Sequence, residues 1–362
     1  MKIDKNLYVD FHVIQTVPPS CVNRDDTGSP KSAIYGGTNR SRVSSQAWKH
    51  AMRMMFRDIF ENEKIGYRTK NVKSLLVKKL NELAPDKSEE EVSKIADTAL
   101  EAAKIKSAGD KKDVLFFIST LQVNALAELA LEYDRDNLDA SEKKKKYKNL
   151  WQNALNNNPS VDMLLFGRMS ASDADLNCDA AAQVAHCIST HEVSNEYDYF
   201  TAVDDCGETT GAGHIGIVEF NASTLYRYAT VNVGELYKKM TEDEVSEVLG
   251  GFAEAFVKAM PTGKQNTFAN RTLPSYIYVA VREDQPINMV GAFEEAVCKS
   301  KEGYEKKSIE KFEKYVKNVY DNFADAPVLS WIVSVDNTTL SGKKVKLSEL
   351  IQQISAAVKI KE

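Results

Sequence analysis

A chain of 362 residues, 43% of them hydrophobic, can bury a sizeable core and hold two substructures. Its five cysteines (Cys21, Cys178, Cys187, Cys206, Cys298) are odd in number and form no CxxC pair, which argues for a reducing compartment and against a structural zinc site. Charges at Asp4, Lys5 and Asp10 leave no signal-peptide core, and no apolar run reaches membrane-spanning length, so a cytoplasmic protein without a membrane partner is expected.

Leu7 to Thr16 alternates and is rich in β-formers, which predicts a first strand ended by Pro18-Pro19. Ser44 to Arg57 reads as a serine-capped helix with Trp48, Met52, Met55, Phe56 and Ile59 at helical spacing. From about Arg57 to Leu155 the chain turns to Lys, Glu, Ala and Leu. An all-helical insertion is expected there, with helices over Lys70–Leu83, Ser88–Lys104 and Leu115–Tyr133. Thr190 to Gly216 reads as a long polar loop, and long loops in compact domains tend to be functional. The β signal returns over Ile215–Val233, with a predicted hairpin at Asn221-Ala-Ser. A helix from Thr241 to Met260 opens on a capping box with Glu244. A strand over Tyr276–Val281 and a helix over Asn288–Lys301 follow. This order predicts an α+β fold, compatible with a ferredoxin-like or RNA-recognition-motif core.

The net charge is −5, yet Thr27 to Arg57 carries six cations and no carboxylate: Lys31, Arg40, Arg42, Lys49, Arg53 and Arg57. Such segregation points to a surface that meets a polyanion. Lys49, Arg53 and Arg57 recur every four residues, Gly36-Gly37 can bring backbone close to a ligand, and Ser44, Ser45 and Gln46 place neutral donors at a helix start. An i, i+4 ladder alone is more often a solvated face.

Catalytic patterns are hard to find. The five histidines include no HExxH, and no GxSxG or P-loop is present. His186, Cys187 and His191 are better read as packing and capping residues than as metal ligands. Asp25-Asp26 and Asp204-Asp205 fit turns better than a magnesium site. No enzyme activity, metal or cofactor is expected. Within Thr190–Gly216, Tyr197, Tyr199, Phe200 and Ile215 could stack on bases or anchor the loop to the core; both stay open.

Several motifs together carry a resemblance. Pro19-Ser-Cys-Val-Asn-Arg-Asp-Asp26, Ala33-Ile-Tyr-Gly-Gly37, Arg42-Val-Ser-Ser-Gln46, Lys49-His-Ala-Met-Arg53, Gly167-Arg-Met169, Tyr199-Phe-Thr-Ala-Val-Asp-Asp205 and Pro261-Thr-Gly-Lys-Gln-Asn-Thr267 resemble, in order, the CasC-type backbone subunit of the type I-E CRISPR Cascade complex. The tail after about Phe323 hardly resembles it. The resemblance implies an RNA-recognition-motif-like palm (1–58 and 182–362), a helical fingers insertion (59–181) and a thumb loop (192–222). It implies a subunit that polymerises along CRISPR RNA beside copies of itself and other Cascade subunits, and presents the guide to target DNA.

Carried over by motif, Arg24, Lys31, Arg42, Ser44, Gln46, Lys49 and Arg53 are expected on guide phosphates and riboses, and Met169 against the bases. Phe200, Thr201 and Ile215 are expected in the thumb, although Tyr199 stands where the family often has tryptophan. Lys143, Lys144, Lys145 and Lys146, which alone would read as a solvated run, are expected to hold duplex DNA. The alternative is an RNA-cleaving backbone subunit of the type III kind, using Asp198, Asp204 or Asp205.

Overall fold

In the computed structural model, which describes residues 6–105, 115–170, 174–202 and 214–357, the chain forms two compact units. One comprises residues 1–55 and 182–362, the other residues 56–181.

The first unit opens with β1 (Tyr8–Ser20), whose residues Val9, Phe11 and Val13 are fully buried. Pro18-Pro19 does not end this strand: the register shifts after Val17 and pairing resumes at Ser20. β2 (Ser32–Tyr35) and β3 (Thr38–Val43) form a hairpin across Gly36-Gly37, both with positive φ as a two-residue type I′ turn requires. Gly36 approaches protein rather than ligand, since a β-carbon there would lie 1.6 Å from the Glu294 carbonyl oxygen. Helix α1 (Ser45–Ile59) follows, capped by Ser44, whose hydroxyl accepts from the Ala47 amide at 3.2 Å. Trp48, Met52 and Phe56 form its buried stripe.

The second unit holds β4 (Gly66–Thr69), α2 (Val72–Leu83), α3 (Glu89–Ala102), β5 (Phe116–Ser119), α4 (Thr120–Arg135), α5 (Ala140–Asn156) and α6 (Val161–Phe166). It is not all helical, because β4 and β5 pair antiparallel. The expected helix over Leu115–Tyr133 therefore begins as a strand. Ser119 ends that strand and caps α4 in a reciprocal box with Gln122. Leu76, Leu80, Val92, Ala96, Leu126, Ala127 and Tyr147 build the core of this unit.

The first unit resumes with β6 (Ala182–Val184), β7 (Cys187–Ser189), β8 (Glu196–Ala202) and β9 (His214–Asn232). No hairpin breaks β9. Asn221 is buried in mid-strand, accepting from the Ser41 hydroxyl and donating to the Asn195 side chain, both at 3.1 Å, so its amide serves cross-strand contacts instead of a turn. Next come α7 (Val233–Tyr237), α8 (Glu242–Lys258, with the expected Thr241–Glu244 box), α9 (Gln265–Phe268) and β10 (Tyr276–Arg282).

The expected helix over Asn288–Lys301 is only a 3₁₀ turn at Met289–Phe293. The true helix is α10 (Glu305–Asn322), which buries Ile309, Phe312 and Val316. β11 (Leu329–Ser334), β12 (Lys343–Lys344) and α11 (Leu347–Ala357) end the chain. The principal path of the ten-stranded sheet runs β12-β11-β10-β1-β9-β7-β3-β2, with β6 and β8 also paired to β9. Every pairing is antiparallel except β11 with β12, and the fold is a mixed α+β one.

Candidate nucleic-acid interface

The turn after β1 is set by Asp25. Its carboxylate accepts from the Thr27 and Ser29 amides, both at 3.0 Å, and from the Thr27 hydroxyl at 2.7 Å. These bonds, the Thr27 hydroxyl foremost, hold Asp25 below the ordinary aspartate range. It is a turn residue, as expected, and its lone pairs are engaged.

Around this turn the cations are held by backbone. Arg24 bridges to Pro30, the Lys31 amide donates to the Asn23 carbonyl (2.9 Å), and the Arg42 amide donates to the Lys31 carbonyl (2.9 Å). The Asn23 side chain accepts from the Ser44 amide at 2.9 Å, tying the start of α1 to the same layer. Lys31 and Arg42 line one shallow cleft with Asn23, Ser41 and Asn221. The Arg42 guanidinium also donates to Ser32 O (3.1 Å) and to His186 Nδ1 (3.4 Å). Burial, then the charges of Arg42 and Lys31, hold His186 below the usual histidine value, so it stands as a neutral acceptor. His186, read from the sequence as a packing or capping residue, was not expected here; the signal that could have found it is its place in the Ala185-His186 motif that the family resemblance includes.

The six-cation stretch is not one surface. Arg40 is 0% exposed. Its guanidinium donates to the carbonyls of Ser189 (3.0 Å), Phe293 (3.0 Å) and Glu294 (3.2 Å) and to the Thr38 hydroxyl (2.8 Å). It ties β3 to neighbouring backbone and is a structural residue. Gln46 and Arg57 on α1 are exposed, whereas Lys49 and Arg53 are only half-buried side chains with interactions of their own. Burial pushes the Lys49 ammonium below the usual lysine value. The ladder is thus less free than an exposed face would be.

Thr190–Gly216 is not a loop throughout. β8 pairs with the first part of β9 as a two-stranded ribbon, every β8 residue exposed. Thr201 faces Ile215, and Phe200 faces Gly216. Alternation then puts Tyr197, Tyr199, Thr201, Ile215 and Ile217 on one face, and Asp198, Phe200 and Val218 on the other. Phe200 and Ile215 therefore lie on opposite faces of the ribbon. Asp204 and Asp205 lie outside the described residues.

His191 closes the base of this segment. Its Nδ1–H donates to Glu192 O (2.8 Å), its Nε2 accepts the Thr224 amide (3.1 Å), and its ring stacks on Tyr304 at 3.6 Å. Both nitrogens are engaged and Cys187 is fully buried. Among the described residues, no group of three or more His, Cys, Asp or Glu could hold a metal ion.

In the second unit, Gly167 (φ 79°) turns the chain after α6 and Arg168 bridges to Cys178. The Arg168 guanidinium donates to Leu176 O (2.7 Å), Leu155 O (2.9 Å) and Gln122 Oε1 (3.2 Å). Met169, next to this anchor, is 90% exposed. The four lysines of α5 are not equivalent. Lys143 donates to Tyr133 O (2.7 Å), and Lys146 pairs with Asp136 (2.7 Å) and Tyr147 (3.2 Å), which raises its pKa. Lys144 and Lys145 are exposed, as is Lys148, and none has an ion pair among the described residues.

Among the described residues no helix is long and apolar enough to cross a membrane. A comparison with curated proteins gives no match. Two solved structures are similar over almost the whole chain, both at 28% identity and 97% coverage of this chain. One is a chain of a CRISPR RNA-guided surveillance complex in a pre-nicking state, covered in full, with a TM-score of 0.79. The other is a chain of a CRISPR RNA-guided surveillance complex, 99% covered, with a TM-score of 0.62. The model of the family described as CT1975-like protein matches residues 9–359, so the stretch after Phe323 is part of the shared pattern, contrary to the expectation from motifs. Matched from the first strand to the last helix, the chain belongs to the CT1975-like protein family.

Proposed function

We propose that this chain is a CRISPR RNA-binding backbone subunit of a Cascade-type surveillance complex. In this reading copies of the chain polymerise along one guide RNA, beside other Cascade subunits, and present the guide for pairing with target DNA. The first unit serves as an RNA-recognition-motif-like palm, the second as fingers and the β8–β9 ribbon as the thumb. Type I-E is the subtype that the motifs favour.

The observation that carries the reading is the Arg24–Lys31–Arg42 layer. Three cations are fixed by backbone hydrogen bonds at the start of a serine-capped helix, in a chain similar to subunits of RNA-guided complexes. Such a layer neutralises phosphates without reading sequence, which suits a guide of variable sequence. The subunit itself is proposed to be non-catalytic.

Sequencing the RNA that copurifies with the chain from cells tests this. Uniform species with repeat-derived ends, accompanied by partner subunits, are expected; heterogeneous RNA would indicate a generic single-strand binder. Incubating the assembled complex with complementary RNA and Mg²⁺ tests the alternative, since cuts at regular intervals would favour an RNA-cleaving thumb.

A further inference from the structure

β9 changes partners at Asn221. Asn221 pairs with Ser20 of β1, whereas Phe220, one residue earlier, pairs with Glu196 of β8. From Asn221 onward β9 lies in the sheet; before it, β9 is one half of the exposed ribbon. Two strands alone are marginally stable in water, so the course of the ribbon is set at its root.

A row of polar side chains crosses that root. The Ser41 hydroxyl donates to Asn221 Oδ1, Asn221 Nδ2 to Asn195 Oδ1, and Asn195 Nδ2 to Glu219 Oε2, each at 3.1 Å. Glu219 and Asn221, two positions apart on one strand, share a face. Asn195, the residue before β8, thus bridges the ribbon side of the junction to its sheet side. An ionised Glu219 can only accept, so Asn195 must turn its Nδ2 there and its Oδ1 to Asn221. Asn221 in turn presents Oδ1 to Ser41. The row runs in a single direction.

Backbone bonds tie the same segment to β3. The Val193 amide donates to Asn39 O and Asn39 Nδ2 to Val193 O, both at 2.9 Å. The Ser189 hydroxyl accepts from the Ser41 amide (3.0 Å) and donates to His191 O (2.6 Å). β3 is also the strand of Arg42, and Ser41 and Asn221 line the cleft with Lys31 and Arg42. Ser41 and Asn221 are both buried. Buried neutral hydrogen bonds add little net stability, and what a fully paired row adds is a single geometry.

We infer that Asn195 and Asn221 are positioning residues: with Ser41 and Glu219 they fix the direction in which the β8–β9 ribbon leaves the sheet, and so its place beside the Lys31–Arg42 cleft. The inference rests on the reading of this ribbon as the thumb and says what holds that thumb in place.

Amide exchange of the isolated full chain tests it. Asn195→Asp keeps the shape of the side chain but sets a carboxylate against Glu219. Exchange over Glu196–Ala202 and Ile215–Phe220 should become about tenfold faster, with Ser223–Asn232 still protected beside β1. Adding Glu219→Gln lets position 219 donate to the carboxylate at 195, so Asn195→Asp/Glu219→Gln should restore wild-type exchange at unchanged net charge. In the assembled complex, Asn195→Asp should weaken pairing with a single-stranded target DNA while guide content holds, and the double variant should recover it. Wild-type exchange in Asn195→Asp, or loosening that Glu219→Gln does not reverse, would overturn the inference and leave the proposed function standing. A wild-type complex that carries no guide RNA would remove that function, while the exchange results would still decide what holds the ribbon.

Discussion

The ring of Phe200 covers its cross-strand partner Gly216 so closely that a β-carbon at 216 would lie 2.3 Å from the ring. An aromatic lying over a glycine protects the backbone there and pins the ribbon's register. Ile215, one residue away, points to the other face and is 58% exposed. Phe200→Ala should therefore loosen the ribbon, by roughly 0.2–1 kcal/mol of cross-strand interaction, seen as faster amide exchange in β8. Ile215→Ala should leave exchange unchanged and weaken guide–target pairing. Equal exchange in both variants would contradict this division.

Arg168 and Met169 form a second contrast between neighbours. Arg168→Met leaves several buried carbonyls without a donor and should destabilise the second unit by on the order of 3 kcal/mol in denaturant unfolding. Met169→Ala should leave the unfolding midpoint unchanged while altering guide RNA binding. A midpoint shift in Met169→Ala would show that this side chain has a packing role instead.

The lysines of α5 separate into two sets. Lys144→Ala/Lys145→Ala should weaken duplex DNA binding and flatten its salt dependence, with guide content intact. Lys143→Ala/Lys146→Ala removes the contacts to Tyr133, Asp136 and Tyr147, so its first effect should be lower thermal stability. Duplex affinity that falls equally in both variants would show that the run acts as a single patch.

Two buried groups of β1 act on pH dependence in opposite senses. Burial raises Asp10 to about 6, and burial, then the charge of Arg282, lowers His12 to about 3. Between about pH 4 and 6 the folded chain holds a proton on Asp10 that the unfolded chain lacks. The unfolded chain holds one on His12 that the folded chain lacks. The two slopes cancel, so this pair leaves stability nearly flat across the window. Asp10→Asn leaves only the histidine, whose depressed value makes stability fall as pH drops from about 6.5 towards 3, by about 1.4 kcal/mol per unit. Melting temperatures from pH 4 to 6 check this; the same slope in Asp10→Asn as in the unchanged chain would contradict it.

Much of this was legible in the sequence. Capping boxes and buried stripes located α1 and α8, because each signal lies within one or two turns of chain. The failures have physical causes. Strands of four residues such as β4 and β5 carry too few positions to show a period, so the helical composition around them prevailed. Asn221 looked like a turn because its cross-strand partners, Ser41 and Asn195, lie 180 and 26 positions away in sequence. Of the site, the motif residues were legible as a set. That Arg40 is buried and Arg42 half-exposed, two positions apart on one strand, follows from long-range acceptors at Ser189 and Phe293.

This separation of buried from exposed cations gives the most direct test of the proposed function. Lys31→Glu/Arg42→Glu reverses two charges that line the cleft and leaves the Arg40 anchor intact. The measurement is the guide RNA retained by the purified complex, alongside the melting temperature of the isolated chain. The account predicts that guide RNA is lost while melting is essentially unchanged, and that residual binding falls steeply with salt. Full retention of guide RNA by this double variant would contradict it.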